Sequence, residues 1–472
     1  MLLILPEVLV CTTLVLSLLL AAFRPEGSLR ASAGLCAVGL GLALLALLNL
    51  PTEGSLFGGA FHLDSVTLWF KGILLVSALL VVLLAADSPR SEHEGHAGGE
   101  YFATLLGSLL GMLFLVSAGD LLTLFIGLEL ATLPLVLLSA WNRQSESSAE
   151  AALKYVLLAA LSSGLIVFGL ALVAGLHGSL SFEAGITALS QPIGWLGFAL
   201  LLSGGAFKMS LAPFHLWAAD VYEGAPTPVT TWLSMGSKAA GLAFLVQLVY
   251  RVFPEALWDI SPLLAGLAAI TMTVGNLVAI VQQNLKRFMA YSSISQAGYL
   301  LFGFLDPSGT MGIGAMLYYL LVYLAGNVAV FGVILYWERA AGAREVEDFR
   351  GFSRERPGLA VALLLGLLSL AGIPPLAGFT GKFLLFSVAA DAGYHWLVLL
   401  GAINSTISLY YYLRILRQAY IEDPEPATRR SSGGGSTAFV IAFGGVTVLL
   451  AGVVPAVYEL IHQSTMGWLA GF

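Results

Sequence analysis

The residues best suited to chemistry in this sequence are charged side chains inside long apolar runs. A charge within the hydrocarbon of a membrane costs several kcal/mol unless it is paired or hydrated, so each is a candidate functional residue. A lysine taken out of water loses the solvation of its ammonium, and a nearby carboxylate stabilises that charge again, so a small change of position can load or unload a proton. The candidates are Glu129, Lys71, Lys154, Lys208, Lys238 and Lys382.

Two interpretations of these charges are open from the residues alone. They neutralise one another and lock helix packing, or they form a row that conducts protons. A single Glu–Lys pair fits both interpretations equally. Several lysines with only Glu129 to neutralise them leave an excess of buried positive charge that only water or titration relieves, which favours the proton-conducting row. Hydroxyl groups that would fill its gaps are those of Tyr291, Ser292, Ser293, Ser295, Thr406 and Ser408.

Two of the titratable residues have a second interpretation. Lys71 lies in the first half of the third apolar run, and its long side chain is expected to reach the outer membrane interface. His215 lies two residues after Pro213, where a hydrogen-bonding histidine and a proton relay are equally compatible with the sequence, so it is kept as a candidate.

Proline interrupts two of the lysine-bearing runs. Lys208 lies five residues before Pro213, and Lys382 lies seven residues after Pro375. Proline removes a backbone hydrogen bond and breaks or kinks a helix, and a broken helix is tolerated in lipid only where protein packs it or a wet cavity borders it. Because the interrupted runs are five positions apart in helix order, they predict two inverted five-helix repeats, each with a Pro-broken helix.

The elements that carry these residues are membrane helices. Of the 472 residues, 58% are hydrophobic and only 10% are charged, with a mean hydropathy of +0.89, whereas a soluble domain has roughly a quarter charged residues. This excludes a water-soluble fold. The sequence predicts an all-α polytopic membrane protein of about 14 transmembrane helices, at 2–23, 31–50, 64–86, 101–117, 119–140, 149–176, 191–215, 226–250, 259–283, 288–305, 310–337, 357–390, 393–416 and 436–462.

The same pattern predicts four parts of the chain. They are an N-terminal three-helix segment at 1–100, the first five-helix repeat at 101–252, the second, inverted repeat at 253–420, and a linker with a C-terminal helix at 421–472. The start of the last part is rich in proline and glycine, which is typical of a flexible linker.

The positive charges predict the orientation. Fifteen of them lie at the ends of odd-numbered helices or in the loops after these, whereas the loops after even-numbered helices contain only Arg251. Short loops rich in Lys and Arg stay in the cytoplasm, so we expect a multi-pass protein of the cell inner (plasma) membrane with both termini on the periplasmic side. The fifteen are Arg24, Arg30, Arg90, Arg143, Lys286, Arg287, Arg339, Arg344, Arg350, Arg354, Arg356, Arg414, Arg417, Arg429 and Arg430.

No metal or redox centre is predicted in this chain. Cys11 and Cys36 lie in apolar runs without metal-type spacing, so we interpret them as packing residues. The loop 87–99 has four possible ligands, but a solvated polar loop is favoured because nothing fixes their side chains on a rigid element. The four are Glu92, His93, Glu94 and His96.

Three stretches carry a resemblance to a known family. They are FKMSLAPFHLWAADVYEGAPTPVTTWLSMGSKAAG from Phe207, NLKRFMAYSSISQAGYLL from Asn284 and AGIPPLAGFTGKF from Ala371. The chain resembles, over essentially its whole length, the antiporter-like membrane subunits of respiratory complex I, the bacterial NADH:quinone oxidoreductase, and DVYEGAPTPVT is typical of the subunit N group. One departure is Ala219, where the family commonly has proline, which concerns loop geometry after the seventh helix.

The resemblance implies roles for individual residues. In the family, the glutamate of the fifth helix pairs with the lysine of the seventh, and central lysines continue a hydrophilic axis along the membrane midplane. The positions that match are Glu129, Lys208, Lys238 and Lys382, with Lys154 as a further family lysine on the sixth helix.

The resemblance also implies the function and the partners. The chain would be a proton-translocating subunit of NADH:quinone oxidoreductase, a translocase in which other subunits transfer electrons from NADH to quinone. Its partners would be the lipid bilayer, the quinone used by the complex, and membrane and peripheral subunits that hold FMN and iron–sulfur clusters; no cofactor and no nucleic acid would bind this chain. A cation/proton antiporter subunit and a non-pumping scaffold are the alternatives.

Overall fold

The structure is a computed structural model that describes residues 2–23, 28–87, 98–182, 189, 191–306, 308–424 and 434–469. This part of the chain is almost entirely α-helical, which confirms the predicted all-α polytopic membrane protein. The helices are α1 (Leu5–Phe23), α2 (Ser28–Leu47), α3 (Ser65–Ala86), α4 (Gly98–Val116), α5 (Leu121–Ser139), α6 (Glu146–His177), α7 (Pro192–Met209), α8 (Leu216–Gly224), α9 (Thr227–Trp232), α10 (Lys238–Val246), α11 (Leu257–Val281), α12 (Leu285–Leu300), α13 (Gly312–Ala341), α14 (Phe352–Glu355), α15 (Pro357–Ala371), α16 (Ala377–Asp391), α17 (His395–Tyr420), α18 (Gly435–Val453) and α19 (Ala456–Leu469).

Twelve helices in the described ranges are long and apolar enough to cross a membrane. One of them is Thr227–Val252, in which a π-helical turn joins α9 to α10. The remaining two predicted spans, 288–305 and 357–390, coincide with α12 and its 3₁₀ extension to Leu305, and with the pair α15 and α16. The total of fourteen membrane crossings stays a prediction.

Two details differ from the sequence prediction. The single helix predicted over 436–462 is wrong: α18 ends at Val453 and α19 begins at Ala456, because Pro455 has no backbone N–H to continue the helix. A short antiparallel hairpin, which the hydropathy pattern does not reveal, joins α2 to α3. Its strands are β1 (Gly54–Leu56) and β2 (Phe61–Leu63).

Some residues behind the predictions lie outside the described residues. They include four of the fifteen positive charges that predict the orientation, the four possible metal ligands of the loop after α3, and 425–433 of the predicted linker. The individually named ones are Arg24, Arg90, Arg429, Arg430, Glu92, His93, Glu94 and His96.

The first helix break separates α7 from α8. α7 ends at Met209, and Ser210 takes the left-handed conformation, with φ of 59°. The backbone N–H of Leu211 donates to the carbonyl of Ala206 at 2.8 Å, which closes the helix end with a Schellman-type bond. Pro213, which cannot donate a backbone hydrogen bond, follows, so the chain does not resume a helix until Leu216.

The second helix break separates α15 from α16 and is closed in the same way. Gly372 follows the last helical residue with φ of 87°, and the N–H of Ile373 donates to the carbonyl of Leu368 at 3.0 Å. The adjacent prolines Pro374 and Pro375 then prevent helix formation until Ala377. The proline positions therefore correctly predict where both lysine-bearing runs are interrupted.

The centre of the molecule lies around the helix Thr227–Val252 and α13. In the most apolar 18-residue window of each, 100% and 94% of the residues are buried, compared with 28% for the window in α6. Within a membrane, a helix that carries buried polar or charged side chains must be surrounded by protein, whereas an apolar helix can face lipid. The helix that carries Lys238 is therefore at the core, whereas α6 presents leucines such as Leu157 and Leu161 on the outer surface.

Candidate functional site

Lys238, the first residue of α10, joins the first break to α12. Its ammonium donates to the carbonyl of Met209 at 3.2 Å and to that of Ser293 at 2.8 Å, and its side chain is 2% exposed. Met209 is the last residue of α7, where the carbonyls have no partner within the helix and carry the negative end of the helix dipole. The break thus creates the acceptor that holds this charge.

Lys382, on α16, occupies the equivalent place at the second break. Its ammonium donates to the carbonyl of Ala371, the last residue of α15, at 3.2 Å, and to the hydroxyl of Ser405 at 3.2 Å. The same group lies 4.4 Å from the centre of the Tyr299 ring, a cation–π contact. Two helix C-termini in the molecule therefore each hold one buried ammonium.

Lys208 is the penultimate residue of α7 and is 3% exposed. Its ammonium donates to the hydroxyl of Thr132 on α5 at 2.8 Å. Glu129 lies one helical turn before Thr132 and accepts a hydrogen bond of 2.5 Å from Ser163 on α6. Lys208 thus contacts the helix of Glu129 through Thr132, and the half-buried carboxylate of Glu129 turns toward α6.

A chain of polar groups continues from Lys238 toward Lys382 along α12. Ser292, next to the Ser293 that binds Lys238, forms a 2.5 Å hydrogen bond with the hydroxyl of Tyr412. The amide nitrogen of Gln296 lies 3.3 Å from that hydroxyl and 3.1 Å from the carbonyl of Leu370. Leu370 directly precedes the residue whose carbonyl accepts from Lys382. The two lysines thus lie at the ends of a chain of buried polar groups whose first and last steps join neighbouring residues of the backbone and not hydrogen-bonded atoms.

The structure assigns the other predicted hydroxyls to different positions. Thr406 is exposed and bonds to the carbonyl one turn before it, outside this chain, while Ser295 and Ser408 are buried and likewise bond within their own helices. Tyr291 is half-buried. Ser405, which binds Lys382, was not predicted, because helical spacing alone does not say which of several neighbouring hydroxyls faces a given lysine.

Lys154 lies apart from this buried chain, in a partly exposed cluster of ions. Its ammonium is 2.7 Å from Glu150 and 2.6 Å from Asp220 on α8, and Asp220 also binds Arg287 of α12 at 2.5 Å. Partial burial raises the pKa of the Asp220 carboxyl, but the hydrogen bonds from Lys154 and Arg287 outweigh it and hold that pKa below its usual value. The cluster ties the half-helix after the first break to two neighbouring helices.

His215 lies directly before α8, at the end of the first break, and is half-buried. The structure thus brings it to the same break as Lys208. The described residues include no group of three or more His, Cys, Asp or Glu side chains that could hold a metal ion.

Sequence reasoning missed two buried ion pairs. The expectation that Lys71 reaches the outer interface is wrong: it is 0% exposed and lies 2.7 Å from Glu7 of α1. Glu7 is the only charged residue in the first apolar run, a signal that could have been used. The second pair joins Arg251 to Asp64, both below 10% exposed, so the only basic residue in a predicted outer loop is itself neutralised inside the protein.

The chain matches known proteins over most of its length. Residues 118–408 match the family described as NADH:quinone oxidoreductase/Mrp antiporter, TM. Curated relatives named NADH-quinone oxidoreductase subunit N include one from Phocaeicola vulgatus, 41% identical and covering 90% of each chain, and one from Trichlorobacter lovleyi, 39% identical over 98% of this chain and 96% of the relative.

Solved structures with the same fold include membrane-complex subunits. A chain of respiratory complex I from Thermus thermophilus with bound aureothin is 34% identical, covers 96% of this chain and 98% of its own, and superimposes with a TM-score of 0.81. A chain of the Mrp complex from Dietzia sp. DQ12-45-1b has a TM-score of 0.84 over 98% and 96% of the two chains. At 22% identity, that second likeness shows the fold alone.

Proposed function

The chain belongs to the NADH:quinone oxidoreductase/Mrp antiporter transmembrane family, and from that premise we propose that it is a proton-translocating membrane subunit of an NADH:quinone oxidoreductase. Other subunits, which hold the FMN and the iron–sulfur clusters, transfer electrons from NADH to quinone. This chain spans the cell inner membrane with both termini on the periplasmic side, and it moves protons.

The observation that carries this proposal is the buried polar chain between Lys238 and Lys382. Each lysine binds a carbonyl that a helix break has exposed, that of Met209 or that of Ala371, and hydroxyl and amide groups lie between the two lysines. Groups that only lock helices together need no such connection. Buried ammonium groups that share a polar chain can instead exchange a proton when a neighbouring charge changes.

The proposed sequence of events starts at the half-buried end of this row. A change of charge next to Glu129 alters the electrostatic field at Lys208, whose ammonium binds the hydroxyl of Thr132 on the same helix as Glu129. The proton then passes through Lys238 to Lys382 and leaves on the periplasmic side. Moving one charge against about 100 mV requires roughly 2.3 kcal/mol, which the redox reaction in the other subunits supplies.

The same proposal includes the division of the chain. Residues 101–252 and 253–420 are two inverted five-helix repeats, flanked by the segments 1–100 and 421–472. In support, each proposed repeat contains one broken helix that ends on a left-handed residue and is closed by the same type of backbone bond. Lys154 and His215, which lie in the first repeat, also take part in proton translocation in this proposal.

The test is proton pumping per NADH oxidised, measured in membrane vesicles that contain the assembled complex. Lys208→Ala should lose pumping through this subunit, because no group of the same charge remains between Thr132 and the first break. Ser203→Ala on the same helix is the control, since its hydroxyl bonds only to the carbonyl of Leu200. Wild-type pumping by an assembled Lys208→Ala complex would refute translocation through this row and indicate that the chain is a scaffold. If the assembly that purifies with the wild-type chain has no flavin or iron–sulfur absorbance, the chain is a subunit of an antiporter.

A further inference from the structure

A polar cavity opens at the face that the positive charges assign to the cytoplasm. It has a volume of about 470 Å³ and lies between the loop before α6 and the ends of α8, α9, α12 and α13. A single water needs only about 10–15 Å³ of such space together with polar partners, so this cavity brings bulk water into the protein. The charged side chains that line it are Glu223, Lys286, Glu338 and Arg344.

Glu338 is the acid that connects this cavity to the interior. It is half-buried, and its Oε2 accepts a hydrogen bond of 2.5 Å from the hydroxyl of Thr227, which is 2% exposed. Glu223, the other acid of the cavity, is paired with Arg287 at 3.0 Å. The ammonium of Lys286 binds the carbonyl of Ala225 at 2.8 Å.

One face of the central helix leads from Glu338 to Lys238. Thr227, Thr231, Ser234 and Lys238 follow one another at intervals of four, three and four residues, which places Thr227 and Thr231 on the same side of the helix. Ser234 lies in the π-helical turn Leu233–Ser237, so it and Lys238 lie only approximately on that side. We call Thr227, Thr231 and Ser234 the hydroxyl face. All three are at most 2% exposed, although the helix around them is apolar.

The geometry of the hydroxyl face suits proton transfer toward Lys238. The hydroxyl of Thr231 donates to the carbonyl of Thr227, and that of Ser234 donates to the carbonyl of Thr231, so each hydroxyl oxygen keeps lone pairs that accept a proton. The side chain of Lys238 leaves the helix tilted toward its N-terminal end, the side on which Ser234 lies. Cβ atoms three or four residues apart on an α-helix are about 5–6 Å apart, a spacing at which a single water can bridge two hydroxyl groups.

We propose that Glu338 collects protons from the cytoplasmic water and passes them along the hydroxyl face to Lys238. The inference rests on the proposed function, because its end point is the row of lysines. In each transfer, Glu338 changes from carboxylic acid to carboxylate, the hydroxyls and bridging waters each accept one proton and release another, and Lys238 changes from amine to ammonium. The carboxylate then takes its next proton from the cavity.

The alternative role of Glu338 is a clamp between α13 and the start of the central helix. Glu338→Gln separates the two roles, because the amide oxygen still accepts from Thr227 while the amide cannot exchange a proton. The matched control is Glu347→Gln at the same face, since Glu347 is 64% exposed and pairs only with Arg350, at 3.6 Å. Thr231→Val tests the hydroxyl face without altering either partner of the clamp.

The experiment measures protons pumped per NADH by the assembled complex in proteoliposomes, as a function of pH on the side of the cavity. Glu338→Gln and Thr231→Val should lower pumping several-fold at pH 8 and less at pH 6, because a collecting acid matters most where protons are scarce, and Glu347→Gln should match wild type. Glu338→Asp, which keeps the carboxyl, should restore part of the loss. A clamp predicts no such dependence on pH and wild-type pumping by Glu338→Gln.

Lys238→Met separates this inference from the function on which it rests. If Lys238→Met abolishes pumping while Glu338→Gln and Thr231→Val pump like wild type, uptake occurs elsewhere and the inference is overturned, although the lysine row stands. If all three pump like wild type, both proposals are overturned. If Glu338→Gln reduces assembly, which co-purification of the other subunits reveals, Thr231→Val alone decides by the same criteria.

Discussion

The two helix breaks hold their lysines with different partners. At the first break, the ammonium of Lys238 comes from another helix and binds two backbone carbonyls, those of Met209 and Ser293. At the second break, the ammonium of Lys382 comes from the half-helix that follows the break, and only one of its two hydrogen-bond acceptors is a carbonyl, that of Ala371. The other is the hydroxyl of Ser405, and the ring of Tyr299 completes the site.

This difference concerns which form of the lysine, amine or ammonium, each site can bind. Backbone carbonyls only accept hydrogen bonds, so the pair that surrounds Lys238 favours the donor-rich ammonium. A hydroxyl both donates and accepts, so Ser405 can also bind the lone pair of a neutral Lys382 amine. We therefore expect the Lys382 site to bind both forms of its lysine, although the cation–π contact with Tyr299 favours the ammonium there as well.

The largest effect is expected from removing either ammonium, with a similar structural cost at the two breaks. Lys238→Met should abolish proton pumping and leave the buried carbonyl of Met209 unpaired, at a cost of about 1–3 kcal/mol; the carbonyl of Ser293 lies within α12 and keeps its partner in that helix. Lys382→Met should abolish pumping as well and leave the carbonyl of Ala371 unpaired, since Ser405 can turn to other partners. Pumping per NADH and the thermal stability of the purified complex measure the two effects.

The comparison fails if one variant is much less stable than the other. A Lys382→Met complex that unfolds at a much lower temperature than the Lys238→Met complex would show that the contacts of Lys382 with the hydroxyl and the ring stabilise the fold more than the contact of Lys238 with the carbonyl of Ser293 does. Met is suitable at both sites because it fills a similar volume without a charge, so a difference between the variants reports the polar partners.

A smaller effect is expected at the left-handed residues that end α7 and α15. Gly372→Ala should destabilise the second break, because a residue with a side chain in the left-handed region costs about 1–2 kcal/mol and the new Cβ would lie 3.0 Å from Cδ of Lys382. Ser210→Gly relieves the same type of strain at the first break, but it adds unfolded-state entropy of similar size, so its net effect should be near zero.

Thermal denaturation and proton pumping of the two variants test this asymmetry. Gly372→Ala should lower both, since the displaced Lys382 loses its hydrogen-bond geometry, and Ser210→Gly should leave both close to wild type. Equal losses in the two variants would indicate that the backbone conformation of the breaks, and not the contact with Lys382, controls pumping.

Much of this architecture follows from local sequence features. Hydropathy predicted the helices, because apolar length is what a membrane demands, and proline positions predicted both breaks, because a missing N–H acts within its own helix. The buried lysines were identified as candidates for the same local reason. What hydropathy could not predict is the division of the last span before Pro455 and the hairpin between α2 and α3.

The partners of the lysines required the tertiary structure. Every residue has a backbone carbonyl, so the sequence does not mark those of Met209 and Ala371 as acceptors. Nothing in the sequence says which lysine will contact the end of a given helix. The resemblance implied a pairing of Glu129 with Lys208; in the structure the hydroxyl of Thr132 accepts from the ammonium of Lys208, and Glu129 interacts with that ammonium electrostatically at longer range. Local signals thus identify which groups are charged and buried, while the contacts between distant helices depend on packing.

The smallest effect is expected from the ions that hold the half-helix after the first break. Asp220→Asn removes the ion pairs with Lys154 and Arg287, and because the cluster is partly exposed it should cost at most about 1 kcal/mol at neutral pH. The pKa of the Asp220 carboxyl is lowered in the folded protein, so its stabilisation is present above the ordinary Asp value of about 3.9 and is lost as pH falls through the lowered pKa.

Unfolding of the wild type and of Asp220→Asn should therefore differ at pH 7 and converge toward pH 3. Asp391→Asn is the control at the second break, because Asp391 ends the corresponding half-helix α16 and is exposed. It should leave the unfolding temperature close to that of the wild type at pH 7. Two results would contradict this prediction: a stability change in Asp391→Asn as large as that in Asp220→Asn, or a difference between wild type and Asp220→Asn that does not vary with pH. Either result would show that packing alone, and not the ion pairs, fixes the position of the two half-helices.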